Sequence, residues 1–372
     1  MRPATLTVAL GAALVLAAAT FDAEPLYVPG LAFAALGLFA LAWVGLGAFG
    51  VRVERELGAR TVVEEQPVDV RLRVRSGLLP LLTGVVDDPL LDVAVPLRLG
   101  QRQMTLTIHA RFARRGRRVL APVRVVVRDP LGLATRTRCD GGETEVLVLP
   151  RVHPVTSPAG IGEDGVLTTQ AGRPRVAAEV ELDGVRPYRP GAAASRIHWS
   201  AFARTGELWE RRLVADADAR PLLVLDARTA GAADPEAALD AAVRALASLA
   251  VALARQGGCS VMLPGDRRPV LVEPGMSAWP RVHVRLALVT DDGSAPTLTG
   301  VAGRAGPVFY VAARPLSVAP RVLQGAGGAT RILVVPGVGG SAGEAARGAR
   351  RPLFAVAGCT GVAITAGRAA AA

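Results

Sequence analysis

The texture of hydrophobic and polar positions changes twice along the chain. Residues 4–20 (ATLTVALGAALVLAAAT) carry no charge, and a second uncharged run extends from Leu26 to Gly50 with Phe33, Phe39, Trp43 and Phe49 inside it. At 1.5 Å per residue the second run reaches about 37 Å, enough to cross a hydrocarbon core of about 30 Å with tilt. The first run is at the short end of what can span. From Val51 short alternating stretches take over: Val68 to Arg75, Met104 to Ile108 and Val123 to Val127 place apolar side chains at every second position. With Gly and Pro punctuating them, these period-two runs predict an antiparallel sandwich.

Further on, Leu222-Leu223-Val224-Leu225-Asp226 reads as a short buried strand ending in an acid. Asp234-Pro235-Glu236 then opens a helix with a capping residue, a first-turn Pro and an acid that favours the helix dipole. Its apolar face runs through Leu239, Val243, Leu246, Leu249, Val251 and Leu253 until Gly257-Gly258 stops it. Strands are predicted at Ser260–Leu263, Val270–Val272, Val308–Val311, Ile332–Val335 and Leu353–Val356. Strand–helix–strand alternation implies a mostly parallel, doubly wound α/β sheet. The predicted layout is a transmembrane helical hairpin over 1–50, a β-rich sandwich-like domain over 51–155, a linker over 156–215 and an α/β domain over 216–372.

Charge fixes an orientation for the hairpin. The FDAEP stretch between the apolar runs holds Asp22 and Glu24 and no Arg, whereas Arg2 precedes the first run and Arg52, Arg55 and Arg60 follow the second. The positive-inside rule puts both flanks, and so the N- and C-termini, in the cytoplasm of a bacterial-type inner membrane. Arg2, a short apolar core and Ala17-Ala18-Ala19 also resemble a signal peptide with a small-residue cleavage site. The second run follows so closely that the two read more naturally as an uncleaved hairpin. The body is cytoplasmic under either reading.

The net charge of +11 and pI near 11.0 would ordinarily point to an anionic partner. All 43 basic residues are Arg, however, and the chain has no Lys and no Asn, the composition of a GC-rich codon pool. The excess is spread out rather than clustered, so nucleic-acid binding is not expected. The densest piece, Arg111 to Arg118, reads either as a solvated hairpin end around Gly116 or as a patch for phosphate or anionic lipid headgroups. Cys139, Cys259 and Cys359 are odd in number and far apart, which argues against a disulfide framework and fits a reducing compartment.

Several stretches line up with one family. Arg114-Arg115-Gly116, Ala121-Pro122-Val123 and Arg128-Asp129-Pro130-Leu131-Gly132-Leu133 are similar to an RRG…GPV…DPFGL pattern. Glu145 to Arg151 resembles the strand ending in Pro that follows. Val185-Arg186-Pro187-Tyr188-Arg189-Pro190-Gly191, continuing through Arg196-Ile197-His198-Trp199 and Ala203-Arg204-Thr205-Gly206-Glu207-Leu208, resembles the LREYxPGDDxRxIxWxxxARxGxL signature of domain-of-unknown-function family 58. The resemblance covers nearly the whole chain. It implies a von Willebrand factor A-like C-terminal domain and a role as partner or adaptor of MoxR-type AAA ATPases and other membrane proteins, with no established reaction. The chain departs from the signature at Ala192-Ala193, where the family has an acidic pair, and at Pro187, where it has a Glu.

Two candidate sites follow. The signature gathers Arg186, Tyr188, Arg189, Arg196, Trp199 and Arg204 as a partner-binding set whose guanidinium forks suit carboxylates or phosphates. Alternatively, Tyr188 and Trp199 pack a domain junction while the arginines pair internally with Glu207 or Glu210. The second site is Asp226. Metal sites of von Willebrand type use DxSxS, one carboxylate and two hydroxyls sharing a hard cation with water. Here the stretch is Asp226-Ala227-Arg228-Thr229-Ala230, with Arg and Ala in the hydroxyl slots, so Mg²⁺ binding is disfavoured and no cofactor is expected. Thr290, Asp291 and Asp292 are candidate contributors from a second loop. A metal- or phosphate-dependent hydrolase at the Asp226 strand end is the alternative function, but the sequence has no P-loop, HExxH, GxSxG or dinucleotide fingerprint. The four histidines are isolated, and no complete catalytic set supports an enzyme.

Overall fold

A computed structural model describes residues 2–156, 182–187, 199–213, 220–298, 306–316, 320, 330–337 and 352–364. The chain divides into two compact units, Met1–Val148 and Leu149–Ala372.

The first unit opens with helices α1 (Arg2–Phe21) and α2 (Tyr27–Ala48), joined by a short 3₁₀ turn at Glu24–Leu26. Both are long and apolar enough to cross a membrane. They pack antiparallel through glycines. A Cβ on Gly11 would stand 2.5 Å from the Ala34 amide nitrogen, and one on Gly37 would stand 2.8 Å from the Ala4 carbonyl oxygen. Small residues at this seam allow the close backbone approach that drives helix pairing in lipid.

Ten strands follow: β1 (Arg52–Leu57), β2 (Thr61–Val63), β3 (Val68–Arg75), β4 (Gly84–Asp87), β5 (Val95–Pro96), β6 (Gln103–Ala110), β7 (Gly116–Leu120), β8 (Val123–Arg128), β9 (Thr135–Asp140) and β10 (Thr144–Leu149). They form sheets β1-β3-β6, β2-β10-β7 and β5-β4-β8-β9. The alternating residues of β3 and β8 point Val70, Leu72, Val74, Val123, Val125 and Val127 into one shared core. Inside this unit Arg55 and Asp88 form a fully buried ion pair at 2.6 Å. It is held in place because Asp88 also accepts the Leu90 N–H and Arg55 also donates to the Ala121 carbonyl. Gly116 is not a hairpin tip: it is the first residue of β7, reached after the chain leaves the β3–β6 sheet, and Arg115 beside it is buried. The arginines of that stretch mask its strand preference.

In the second unit β11 (Leu182–Pro187) pairs antiparallel with β12 (Trp209–Leu213), and α3 (Trp199–Thr205) lies between them in sequence. Among the described residues the remaining elements are β13 (Leu222–Asp226), α4 (Pro235–Arg255), β14 (Cys259–Met262), β15 (Val270–Val272), α5 (Trp279–Leu288), β16 (Val308–Ala312), β17 (Arg331–Pro336), β18 (Pro352–Val356) and β19 (Cys359–Ala363). Seven strands make one sheet in the order β15-β14-β13-β16-β17-β19-β18. The centre, β14-β13-β16-β17, is parallel, while β15 and the β18–β19 hairpin join antiparallel, so the sheet is mixed.

The described helices cover one face: α4 and α5 bury Leu246, Leu249, Val282 and Leu286 against Leu223, Leu225, Phe309 and Val311. On the other face Leu222, Val224, Tyr310 and Leu333 gather with Leu298 and Leu316, with no helix among the described residues. The α4 start is as its sequence implies, with Asp234 accepting the Ala237 N–H at 3.0 Å. The segment before the signature also belongs to this unit, since Thr156 bridges to Ala355 on β18.

Candidate functional site

All five residues of β13 are buried, so its last side chain, Asp226, ends up fully buried at the carboxyl edge of the parallel strands. A carboxylate placed there needs compensation, because an unpaired buried charge is strongly destabilising. Arg228, two residues on, turns back and grips it with both arms: Nε donates to Oδ1 at 2.8 Å and Nη2 to Oδ2 at 2.8 Å. From the neighbouring strand β16 the Tyr310 hydroxyl donates to Oδ2 at 2.8 Å. Arg314, just past that strand, brings its Nη2 to 3.7 Å from the same oxygen, while its Nε is buried with no partner among the described residues.

The ionisation of the cluster follows from these contacts. Burial raises the pKa of Asp226, but the hydrogen bonds from Arg228 and Tyr310 outweigh it and leave the carboxyl below its usual range. Burial, then the bond to Asp226, pushes the Tyr310 phenol up, so it serves as a fixed neutral donor. The second loop does arrive: Asp291 accepts both the Thr229 N–H at 2.9 Å and the Thr229 hydroxyl at 2.6 Å. The Thr229 hydroxyl bond, joined by the Gly293 and Thr229 amides, holds Asp291 below the ordinary carboxylate range. Asp292 turns instead to Ser294, whose hydroxyl and N–H it accepts.

Two carboxylates and two guanidiniums therefore share this strand end, and the oxygens of Asp226 that would face a cation are engaged by Arg228 and Tyr310. Among the described residues no group of three or more His, Cys, Asp or Glu side chains has metal-ligand geometry. Chemically the arrangement is a locked ion pair.

The signature set is placed only in part. Tyr188, Arg189 and Arg196 lie outside the described residues. Arg186 is on β11 directly opposite Glu210 on β12. Trp199 begins α3 and is 57 % exposed. It meets Phe202 edge-on at 6.2 Å, one helical turn along. Arg204, in the last turn, is exposed too. Five residues apart on a helix, Trp199 and Arg204 differ by about 140° around the axis and do not share one face.

The residues that sequence reasoning missed are Tyr310 and Arg314. The signal was a lone Tyr inside the apolar run Val308–Ala312, since a buried phenol needs a hydrogen-bond partner. No protein-family model matches the chain, and no curated protein sequence matches it. The likeness to domain-of-unknown-function family 58 therefore stands on the motif residues themselves.

Proposed function

We propose that this chain is a membrane-anchored scaffold or adaptor of the domain-of-unknown-function family 58 type. Its N-terminal hairpin spans a bacterial-type inner membrane and holds the body in the cytoplasm, where it docks a MoxR-type AAA ATPase. The observation that carries the non-catalytic reading is the bidentate Arg228–Asp226 fork, which engages the buried carboxylate at the end of β13 where a cation-dependent reaction would be centred. Exposed Trp199 and Phe202 on α3 favour the signature segment as the docking element, because aromatic side chains and Arg dominate interface energetics.

The test is capture of a purified MoxR-type AAA ATPase by the full chain in native membranes. Trp199→Ala is expected to weaken capture while the melting temperature stays unchanged, since an exposed side chain forfeits only intermolecular contacts. Full capture by a Trp199→Ala/Arg204→Ala double variant would remove the proposed surface. For the hydrolase alternative, Arg228 must first leave Asp226. Stabilisation by millimolar Mg²⁺ of about 2.7 kcal/mol, the value at 100-fold over Kd, would favour that alternative instead.

A further inference from the structure

The helix pair and the β sheets of the first unit meet at the last turns of α2 and at the loop Asp129–Ala134, between β8 and β9. Ala134 is buried against Ala4, Ala40 and Val44 of the two helices, with Leu133 beside it. The Leu133 carbonyl accepts the Ala4 N–H at 3.0 Å, one of the first-turn donors that an α-helix cannot satisfy itself. At the loop tip Leu131 is 61 % exposed. Counted from Leu26 at 1.5 Å per residue, Ala40 and Val44 lie about 21 and 27 Å along the second span, and a hydrocarbon core of about 30 Å ends only near Leu46. Keeping the loop in water would leave α2 roughly 21 Å of usable span or draw Glu24 and Asp22 into hydrocarbon, both costly. Tilting the helices only takes the loop deeper.

Irregular backbone survives at such depth only if its polar groups are satisfied within the protein. Much of this loop's N–H complement is satisfied that way, while the carbonyls of Pro130–Gly132 lie at its tip. The buried Asp129 carboxylate accepts the N–H groups of Leu131 at 3.0 Å and Ala134 at 2.5 Å. Its backbone carbonyl accepts the Gly132 N–H at 3.1 Å, its own N–H goes to the Ala134 carbonyl at 3.2 Å, and Pro130 has no N–H to satisfy. Gly132 sits at φ 72°, which closes the turn. Just beyond, exposed Arg136 places its Nη1 3.8 Å from where a Cβ on Gly45 would stand, about 28 Å along the span, at the edge of the hydrocarbon core and within snorkelling reach of the phosphate headgroups.

We propose that the Asp129–Ala134 loop dips into the membrane leaflet facing the body, with Leu131 among the phospholipid acyl chains and Arg136 on the headgroup phosphates. The proposal rests on the reading that α1 and α2 span the bilayer. In it the Asp-Pro-Leu-Gly-Leu motif forms a third membrane contact, one that fixes how the β sheets stand on the lipid surface.

The test uses the full chain in phospholipid nanodiscs with Cys139→Ser, because Cys139 is the exposed cysteine. Cys259 and Cys359 are buried, and burial pushes their thiols up to about 12, so neither competes for label. An environment-sensitive dye is attached at Leu131→Cys or, as a reference inside the span, at exposed Leu38→Cys on α2. Quenchers are lipids spin-labelled near the ester or near the terminal methyl, and aqueous iodide. The dye at 131 is expected to lose most of its emission to the ester-proximal spin label and little to iodide, with the dye at 38 answering to the deeper label. Iodide quenching at 131 with lipid quenching retained at 38 overturns the loop proposal and leaves the spanning helices intact. Iodide quenching at both positions overturns the spanning reading and the loop proposal together.

Discussion

Helices α2 and α4 are similar in length and both apolar enough to cross a membrane, yet they meet different surroundings. In the most apolar stretch around α2 28 % of residues are buried within the protein, against 78 % in α4. The difference lies in the pattern of charge. From Tyr27 to Ala48 α2 has no ionisable side chain beyond Tyr27 itself, and large residues such as Val28, Leu31, Leu38 and Phe39 face outward. On α4, Glu236, Asp240 and Arg244 recur every fourth residue in its first half, Asp240 among the buried residues, while Leu246, Leu249 and Leu253 bury on the sheet. Mean apolarity alone would class them together.

The comparison predicts graded responses. The largest is expected for Leu246→Asp, which buries a carboxylate with no partner in the α/β core and costs several kcal/mol. Circular dichroism and thermal melts should show the second unit unfolded. A cooperative, near-normal melt would mean that α4 is not the core helix described.

Next comes the sheet that α4 covers. Arg228→Ala strands the buried Asp226 carboxylate and is expected to cost about 3–5 kcal/mol, more than Asp226→Ala, which frees an arginine that is already partly exposed. Equal melting shifts for the two variants would contradict the fork. The sign of the pH effect is fixed as well. A folded-state pKa below the unfolded value of about 3.9 means that the Asp226 contribution is fully present above pH 4 and lost as pH falls through the folded value. Acid melts of Asp226→Ala should therefore change less with pH below that point than those of the wild type.

The smallest effect belongs to α2. Leu38→Ala exchanges one outward-facing side chain for another, leaves no cavity inside the protein, and is expected to change stability in nanodiscs by about 0.5 kcal/mol or less. A loss of core-substitution size, about 2–5 kcal/mol, would show that Leu38 packs against protein.

Much of this arrangement is legible in the sequence, and the failures have physical reasons. Uncharged runs, strict alternation and the Asp-Pro-Glu helix start are local signals, and they locate α1, α2, β3, β8, β13 and α4. Strand β19 was missed because its hairpin turn is Ala357-Gly358, both at positive φ, without the Asn or Asp that usually announces such a turn. The antiparallel edges of the sheet went unseen with it. At the candidate site, Asp226 and Arg228 are two residues apart and could be read together. Tyr310 is 84 residues away from Asp226 and reaches it only because β13 and β16 are neighbours in the sheet, with Asp226 level with Ala312. Strand order of that kind leaves no mark in local composition.

The central claim is that the N-terminal hairpin spans the membrane and holds the body in the cytoplasm. A matched pair of fusions at the C-terminus tests it most directly, alkaline phosphatase in one and a fluorescent protein in the other, both expressed in a bacterial host. Arg2 and Arg52 flanking the spans, with Asp22 and Glu24 between them, predict an inactive phosphatase and a bright, membrane-bound fluorescent protein. An active phosphatase with a dark fluorescent fusion would contradict the account.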